Sequence, residues 1–367
     1  MNKIKCLNII IFLGLTIPAF AANSIIKINH NQNRYDIGKS LYLFEDPKKE
    51  FTIKDVSSPD FSKNFTISKE DVPNLAYTKS AYWFKFTLKN DSSENSEWYL
   101  VLNYALMDDF RFYIPDGKDG FIEKISGRNY PFSQKEFKSR KFVSSFNLPQ
   151  GPEKTYYLRL ETSDSFPVPL GVWKPKTFIE YDHDEQFYLG LYYGIIAIMI
   201  LFNLFLFFSV RDVNYIYYVL ILVFMHGFFQ LGINGLSFEY LGQDSIWWSR
   251  TSIPFSFSIS AFFFLQFVRS FLNTRKIIPL LDKFMIAIMV WAVIETIASP
   301  FIDYIYAITS TATLGQFGAG TGWLAGVIAL KKGNRAARFF ILAWTSLIVG
   351  GLIYSIKIFL DWDMNCI

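Results

Sequence analysis

Phe187 to Val210 reads FYLGLYYGIIAIMILFNLFLFFSV, an apolar run without one charged side chain. A run of about 18 or more such residues is long enough for a helix to cross the hydrocarbon of a bilayer. Five later stretches share its character: Val213 to Phe238, Thr251 to Val268, Phe284 to Ile302 broken only by Glu295, Tyr304 to Leu330, and Phe339 to Ile356. Residues 186–360 therefore read as an α-helical polytopic membrane bundle of six helices, with a short tail at 361–367.

Ahead of this block the composition changes. Ser24 to Glu185 carries 23 Lys and Arg against 24 Asp and Glu, whereas Gln186 to Ile367 carries 11 against 8. A soluble half thus precedes a membrane half. The net charge over 367 residues is only +4, with no basic tract, so nucleic acid is not an expected partner and the lipid bilayer is.

Lys3 and Lys5 precede an apolar stretch from Leu7 to Phe20, and Ala19 and Ala21 stand in an A-x-A arrangement before Ala22. This pattern predicts a secretory signal peptide over residues 1–21. The alternative, a membrane anchor, suits the stretch less well, because Pro18 interrupts it and it falls short of about 20 residues. Export of residues 22–185 makes the first helix run inward. Arg211, Arg269, Arg275, Lys276, Lys283, Lys331, Lys332, Arg335 and Arg338 then lie inside, against Arg250 and Lys357 outside, as the positive-inside rule requires. Trp247, Trp248 and Trp362 fall at expected outer boundaries. The two cysteines, Cys6 and Cys366, leave the exported domain without a disulfide framework.

Residues 22–185 alternate with period two. Tyr82, Phe84, Phe86 and Leu88 interleave with Trp83, Lys85 and Thr87, and Phe110, Phe112 and Ile114 with Arg111 and Tyr113. Further strands are expected at Trp98 to Leu102, Phe121 to Ile125, Phe142 to Phe146, Tyr156 to Leu160 and Val168 to Trp173. Turn residues at 115–120 and 149–152 separate them, and no amphipathic helix stands out, so the exported part reads as an all-β sandwich.

Chemistry-bearing residues are sparse. His30, His183 and His226 are scattered, no metal-ligand spacing occurs, and neither a metal nor a cofactor is expected. His226 reads as a packed polar residue or, alternatively, a proton carrier. Arg111, Arg128, Arg140 and Lys141 are candidates for an anionic or hydroxylated ligand, and Tyr130 and Trp173 for stacking on a sugar face; solvated surface positions are the alternative. Asp108 and Asp109 are adjacent, so they point to opposite faces of a strand and do not form a catalytic pair. Glu295, inside a span, needs a partner, a proton or water, since burying it uncompensated costs roughly 3 kcal/mol; a place near the outer end of its helix is the other reading. Asn203, Gln230 and Asn234 are expected to bond between helices. Gly318, Gly322 and Gly326 at four-residue spacing predict close helix packing rather than a phosphate loop.

The order of parts, together with particular motifs, resembles the bacterial seven-transmembrane receptors with diverse intracellular signalling modules (7TMR-DISM). In the exported half the matching segments are Asp46 to Asp60, Ser80 to Phe86, Trp98-Tyr99-Leu100, Asp108 to Ile114, Pro131-Phe132-Ser133 and Tyr156 to Arg159. In the membrane half they are Tyr193-Gly194, Asn203 to Leu206, Arg211-Asp212 with Tyr215 and Tyr218, Asn234-Gly235, Arg269 to Leu272 and Ala336 to Trp344. The resemblance implies a jelly-roll ectodomain that binds carbohydrate or another small ligand, and a seven-helix relay to a cytoplasmic output such as a diguanylate cyclase, histidine kinase or adenylate cyclase. Six helices of that seven-helix pattern are counted here, with neither the seventh nor an output module. A fragment, or signalling through a cytoplasmic partner or a homodimer, would follow.

The expected function is that of a sensory receptor in a bacterial inner membrane, with its N-terminal domain in the periplasm and no catalytic module in this chain. Asn203, Arg211, Asp212, Tyr215, Tyr218 and Glu295 are the expected coupling residues. For Arg211 to Tyr218, topology anchoring plus an exposed ion pair is the alternative. A transporter or channel component with a substrate-capturing ectodomain is the rival function, but Glu295 is its only carboxylate within a span. A membrane-bound enzyme acting on envelope carbohydrate comes third.

Overall fold

The computed structural model describes residues 25–346 apart from 30, 93–95 and 119. The leader with Cys6, His30, the end of the sixth apolar stretch, Lys357, Trp362 and the tail with Cys366 lie outside the described residues.

The alternating segments form two facing sheets. One runs Thr66–Ile67, Tyr42–Asp46, Ala81–Asn90, Lys154–Glu161, Asp109–Pro115, Phe121–Ser126, antiparallel throughout this path. Ile25–Ile28 adds in parallel to Thr87–Asn90, continuing the edge that Tyr42–Asp46 begins. The other sheet runs Phe142–Leu148, Ser96–Leu102, Leu170–Trp173, Arg34–Asp36. The chain crosses between them repeatedly, as the expected jelly-roll sandwich requires. Phe84, Phe86, Leu100, Phe110, Phe112 and Leu158 meet in the core between the sheets.

Both outer faces are covered as well, which period-two alternation does not reveal. A short helix at Ile53–Val56 and a 3-10 turn at Pro59–Asn64 fold over the larger sheet. They close Trp83, Tyr113 and Tyr157 beneath Val56, Phe61 and Phe65. The opposite face, with Tyr99, Val101, Val143 and Trp173, is covered by Phe178 and Tyr181. These two belong to the first long helix.

That helix, α1 (Pro175–Val210), starts inside the segment expected to be purely β. Pro175 at its first turn suits a position whose N–H would go unused. Its 36 residues span about 54 Å, well beyond the ~30 Å of bilayer hydrocarbon. One rod therefore packs on the sandwich at its start and continues into the apolar block. The other long helices are α2 (Asn214–Ile233), α3 (Ile246–Phe271), α4 (Pro279–Ala298) and α5 (Tyr304–Lys331). A sixth begins at residue 336 and is described to 346. Three of these, α1 to α3, are long and apolar enough to cross a membrane by length and composition. Helices thus stand at the first five expected places, and the described part of the sixth is helical.

Within the block α3 is central and packs on α2, α4 and α5. A Cβ added at Gly315 would meet Phe257 at 2.7 Å, and one at Gly322 would meet Phe264 at 2.9 Å. Glycines seven apart on α5 thus receive phenylalanines seven apart on α3. Gly326 is met by Phe340 at 2.7 Å. Gly318 departs from its expected packing role: a Cβ there meets nothing within 4 Å, and Gly315 takes its place in the series.

Candidate functional site

Charged side chains concentrate where the sandwich meets the helices. Arg128, in the loop after Phe121–Ser126, is 2 % exposed. Its Nε and Nη2 donate to Asp108 at 3.1 and 2.8 Å, and Nη2 also donates to Asp164 at 2.7 Å. Tyr304, the first residue of α5, lays its hydroxyl 2.9 and 2.8 Å from the two Asp164 oxygens. Its ring lies 5.2 Å from the Arg128 guanidinium.

One cation therefore serves two buried carboxylates, and they divide. Burial opposes the charge of Asp108, but Arg128 and the Ser163 N–H at 2.7 Å outweigh it and hold this carboxyl below its usual range. Burial dominates at Asp164 and raises it despite Arg128 and Tyr304. Asp164, the less securely ionised member, is the one that holds the helix.

A second cluster ties the sandwich to α1 and to the α2–α3 connector. Lys141 Nζ lies 2.9 Å from Asp182 and pairs with Glu185, both on α1, and Arg140 also pairs with Glu185. Arg140 donates to the Asn234 carbonyl at 3.2 Å. Gly235 has φ +77°, and a Cβ there would stand 2.6 Å from the Ala105 Cβ, so a side chain is excluded twice over. Phe132 meets Phe238 edge to face at 5.3 Å, and its N–H donates to the Gln243 carbonyl at 2.7 Å. Beside it, Lys135 is buried with its ammonium donating to the Ser139 and Lys141 carbonyls. Burial pushes Lys135 down to about 7, against the pull of Glu239 and Asp182. Glu239 on the connector is raised, by burial first.

The expected ligand residues do not converge. Arg111 and Tyr130 meet on Asp109, at 2.9 Å each, with Arg159 at 3.0 Å from the same carboxylate. Arg140 and Lys141 belong to the second cluster. Two expectations need correction. Arg128 faces the interior rather than solvent because it neutralises two buried carboxylates. Trp173 offers no open face, since Phe178 and Tyr181 cover it and Arg34 lies 4.1 Å over its ring. Asp108 and Asp109 do point apart, one to Arg128 and the other to Arg111 and Arg159.

Among the expected coupling residues, Arg211 caps α1 at φ 61° and is exposed, and no ion pair joins it to Asp212 among the described residues. Asp212 instead accepts the Asn214 N–H at 2.9 Å, at the start of α2. Tyr215 is half-buried there, and Tyr218 packs against Phe267. Asn203 does not bond between helices as expected: its side chain donates to Met199 on its own helix at 2.8 Å. Asn234 does, reaching Tyr193 at 3.3 Å, and His226 meets Tyr192 at 2.7 Å. Glu295 finds its partners in the Ser310 and Thr311 hydroxyls of α5. Arg269 forms a two-pronged pair with Asp282 at 2.9 and 3.1 Å, joining α3 to α4.

Sequence reasoning passed over Asp164, Tyr304, Lys135, Glu239, Asp182 and Glu185. Asn234-Gly235 and Pro131-Phe132-Ser133 were visible as motifs, and both lie in this contact.

Comparison with known proteins agrees with this layout. The model described as 7TMR-DISM extracellular 2 matches residues 38–174, and the one described as 7TM diverse intracellular signalling matches residues 185–364. A search of curated proteins finds no match. Both matched models are receptor-type domains, one on the sandwich and one on the helical block, and together they take in nearly the whole chain. The chain belongs to the 7TMR-DISM family of membrane receptors.

Proposed function

We propose that this protein is a sensory receptor of a bacterial inner membrane. Its sandwich, exported to the periplasm behind a cleaved leader, meets a small ligand, of which carbohydrate is the favoured class, and the helices carry the change inward. The observation that supports this most is the contact itself. Arg128, Asp108 and Asp164 of the sandwich close on Tyr304 of α5, while α1 runs unbroken from the sandwich into the apolar block. A ligand acts through such a contact by binding two arrangements of it unequally. Arg111 and Tyr130, half-buried around Asp109, remain the best candidates to meet ligand, with Arg159 opposite Arg111 on the neighbouring strand. The output is carried by a cytoplasmic module or partner, and this chain itself performs no catalysis.

Hydrogen exchange on the whole protein in nanodiscs, across a library of sugars, amino acids, nucleosides and organic acids, tests the reading. Saturable protection in Asp109–Pro115 accompanied by a change at the start of α5 is the expected result. Protection confined to the sandwich would sink the relay. A flat screen would replace the small ligand by a protein partner.

A further inference from the structure

Between α2, α3, α5 and the helix of residues 336–346 lies a cavity of about 520 Å³. This falls within the roughly 300–1,000 Å³ typical of small-molecule sites. Its walls are apolar except for His226 and Ser260. Three observations separate it from a simple packing gap.

First, α5 is tightly packed on both sides of the cavity and open at its middle. Gly315 and Gly322 are each met by a phenylalanine within 3 Å, while Gly318 between them meets nothing within 4 Å. Secondly, the α2 wall lies in a π-helical segment, Leu222–Phe229, which carries Met225 and His226. Such wide turns inside α-helices recur at functional sites. Thirdly, His226 is oriented. Its Nδ1 lies 2.7 Å from the Tyr192 hydroxyl, and its other ring nitrogen has no bond among the described residues. In the tautomer where the phenol donates to Nδ1, the imidazole proton sits on Nε2 and is available to an acceptor.

The cavity opens sideways. Gly320 and Trp323 on its rim are exposed on the flank of α5, the surface a bilayer would cover. Its occupant therefore arrives from the lipid phase, and no charged group in the lining calls for an ion. We propose that this cavity binds a neutral lipid-phase molecule with an apolar body and a carbonyl oxygen that accepts a hydrogen bond from His226.

The test uses the whole protein in phosphatidylcholine nanodiscs, with decylubiquinone as the probe, because Trp323 and Trp344 line the cavity and a quinone quenches indole fluorescence. Saturable quenching is expected on top of the linear component from partitioning. That saturable part should vanish in a Trp323→Phe, Trp344→Phe double variant. Gly318→Leu, which places a side chain in the open space, should abolish the saturable quenching while thermal unfolding stays intact. His226→Phe should weaken binding at least tenfold. Purely linear quenching of the parent protein would overturn the proposal, as would saturable quenching indifferent to Gly318→Leu. Binding that appears only after residues 347–367 are removed would assign the cavity to the chain's own end and overturn it too. Equal affinity in His226→Phe would overturn the carbonyl assignment.

Discussion

In the sandwich, Phe84, Phe86, Phe110 and Phe112 are sealed between two sheets, whereas on α1 Leu201, Phe205 and Phe208 are each about two-thirds exposed. The same apolar side chains obey different solvents. Water drives the first set inward at roughly 25 cal/mol per Å² of apolar area. A lipid surround supplies no such drive, and helices there associate through close approach and hydrogen bonds, as Gly322 against Phe264 and Glu295 against Thr311 show. The two regimes meet at one contact. Charges that the sandwich would otherwise leave in water are there buried and paired.

The comparison is broken most sharply at Arg128. Arg128→Ala leaves Asp108 and Asp164 buried without their cation and should cost roughly 3–5 kcal/mol, read as a lower unfolding temperature of the whole protein in detergent. Adding Asp108→Asn and Asp164→Asn removes the stranded charges and should recover part of the loss. If Arg128→Ala proved harmless, the contact would not be the charged seam described.

Tyr304→Phe removes one hydrogen bond to a carboxylate and should cost about 1.5–3 kcal/mol, since Asp164 is left short of a donor. The same replacement at exposed Tyr306, two residues on, should cost almost nothing. Equal effects would mean that the start of α5 is held by apolar packing alone.

Inside the helical block, glycines sort by what they touch. Gly322→Ala forces a methyl against Phe264 at 2.9 Å and should cost about 1–3 kcal/mol, while Gly318→Ala should be tolerated or slightly stabilising. Thermal unfolding of the pair checks this. The reverse order would show that spacing alone, and not contact, sets helix packing.

Much of this layout was legible in the residues, for a physical reason. Period-two alternation located the strand Ala81–Asn90, and a charge-free run located residues 187–210 of α1, because both signals are local. Asp108 and Asp109 were separable for the same reason. The contact was not legible. Arg128 finds Asp108 20 positions away and Asp164 36 away, and Tyr304 reaches Asp164 across 140. No periodicity records such partners. Trp83 misled in a milder way, since its alternating position suggests an outer face and only the excursion at Ile53–Asn64 covers it. The glycine series was half visible: four-residue spacing picked Gly318, while the phenylalanines seven apart on α3 select Gly315.

Lys135 makes the contact sensitive to pH. Burial holds its folded pKa near 7, below its ordinary value of 10.5, so between these values the unfolded chain binds a proton that the folded chain does not. Stability should therefore rise with pH through this window and be lost as pH falls through 7. From pH 7 to 8 the gain is about 1 kcal/mol. Lys135→Met, which keeps the contacts with Phe132 and Phe142, should flatten that rise. Glu239 faces the same lysine and is raised by burial, so the difference between the two scans is what is read. An unchanged slope in Lys135→Met would show that this ammonium keeps its proton within the fold.

The smallest effect is expected at the far end of α1, where a coupling role and a purely local one make different demands on Arg211. Its φ of 61° is a left-handed conformation that glycine adopts freely and other residues do not. Arg211→Gly relieves that strain and removes an exposed cation that has no ion-pair partner among the described residues, so the folded protein should gain at most about 1 kcal/mol. Asp212 continues to cap α2 through the Asn214 N–H, and the helix turn survives. Stability measured alone then reports only the backbone. Measured beside the output of a relative that carries an output module and the same change, it separates the two roles: unchanged output with a steadier fold reduces Arg211 to a helix terminator, whereas lost output in a steadier fold assigns its charge to the inner module. The contrast with Arg128 would then be complete, since one arginine is needed because it is buried and the other because it is not.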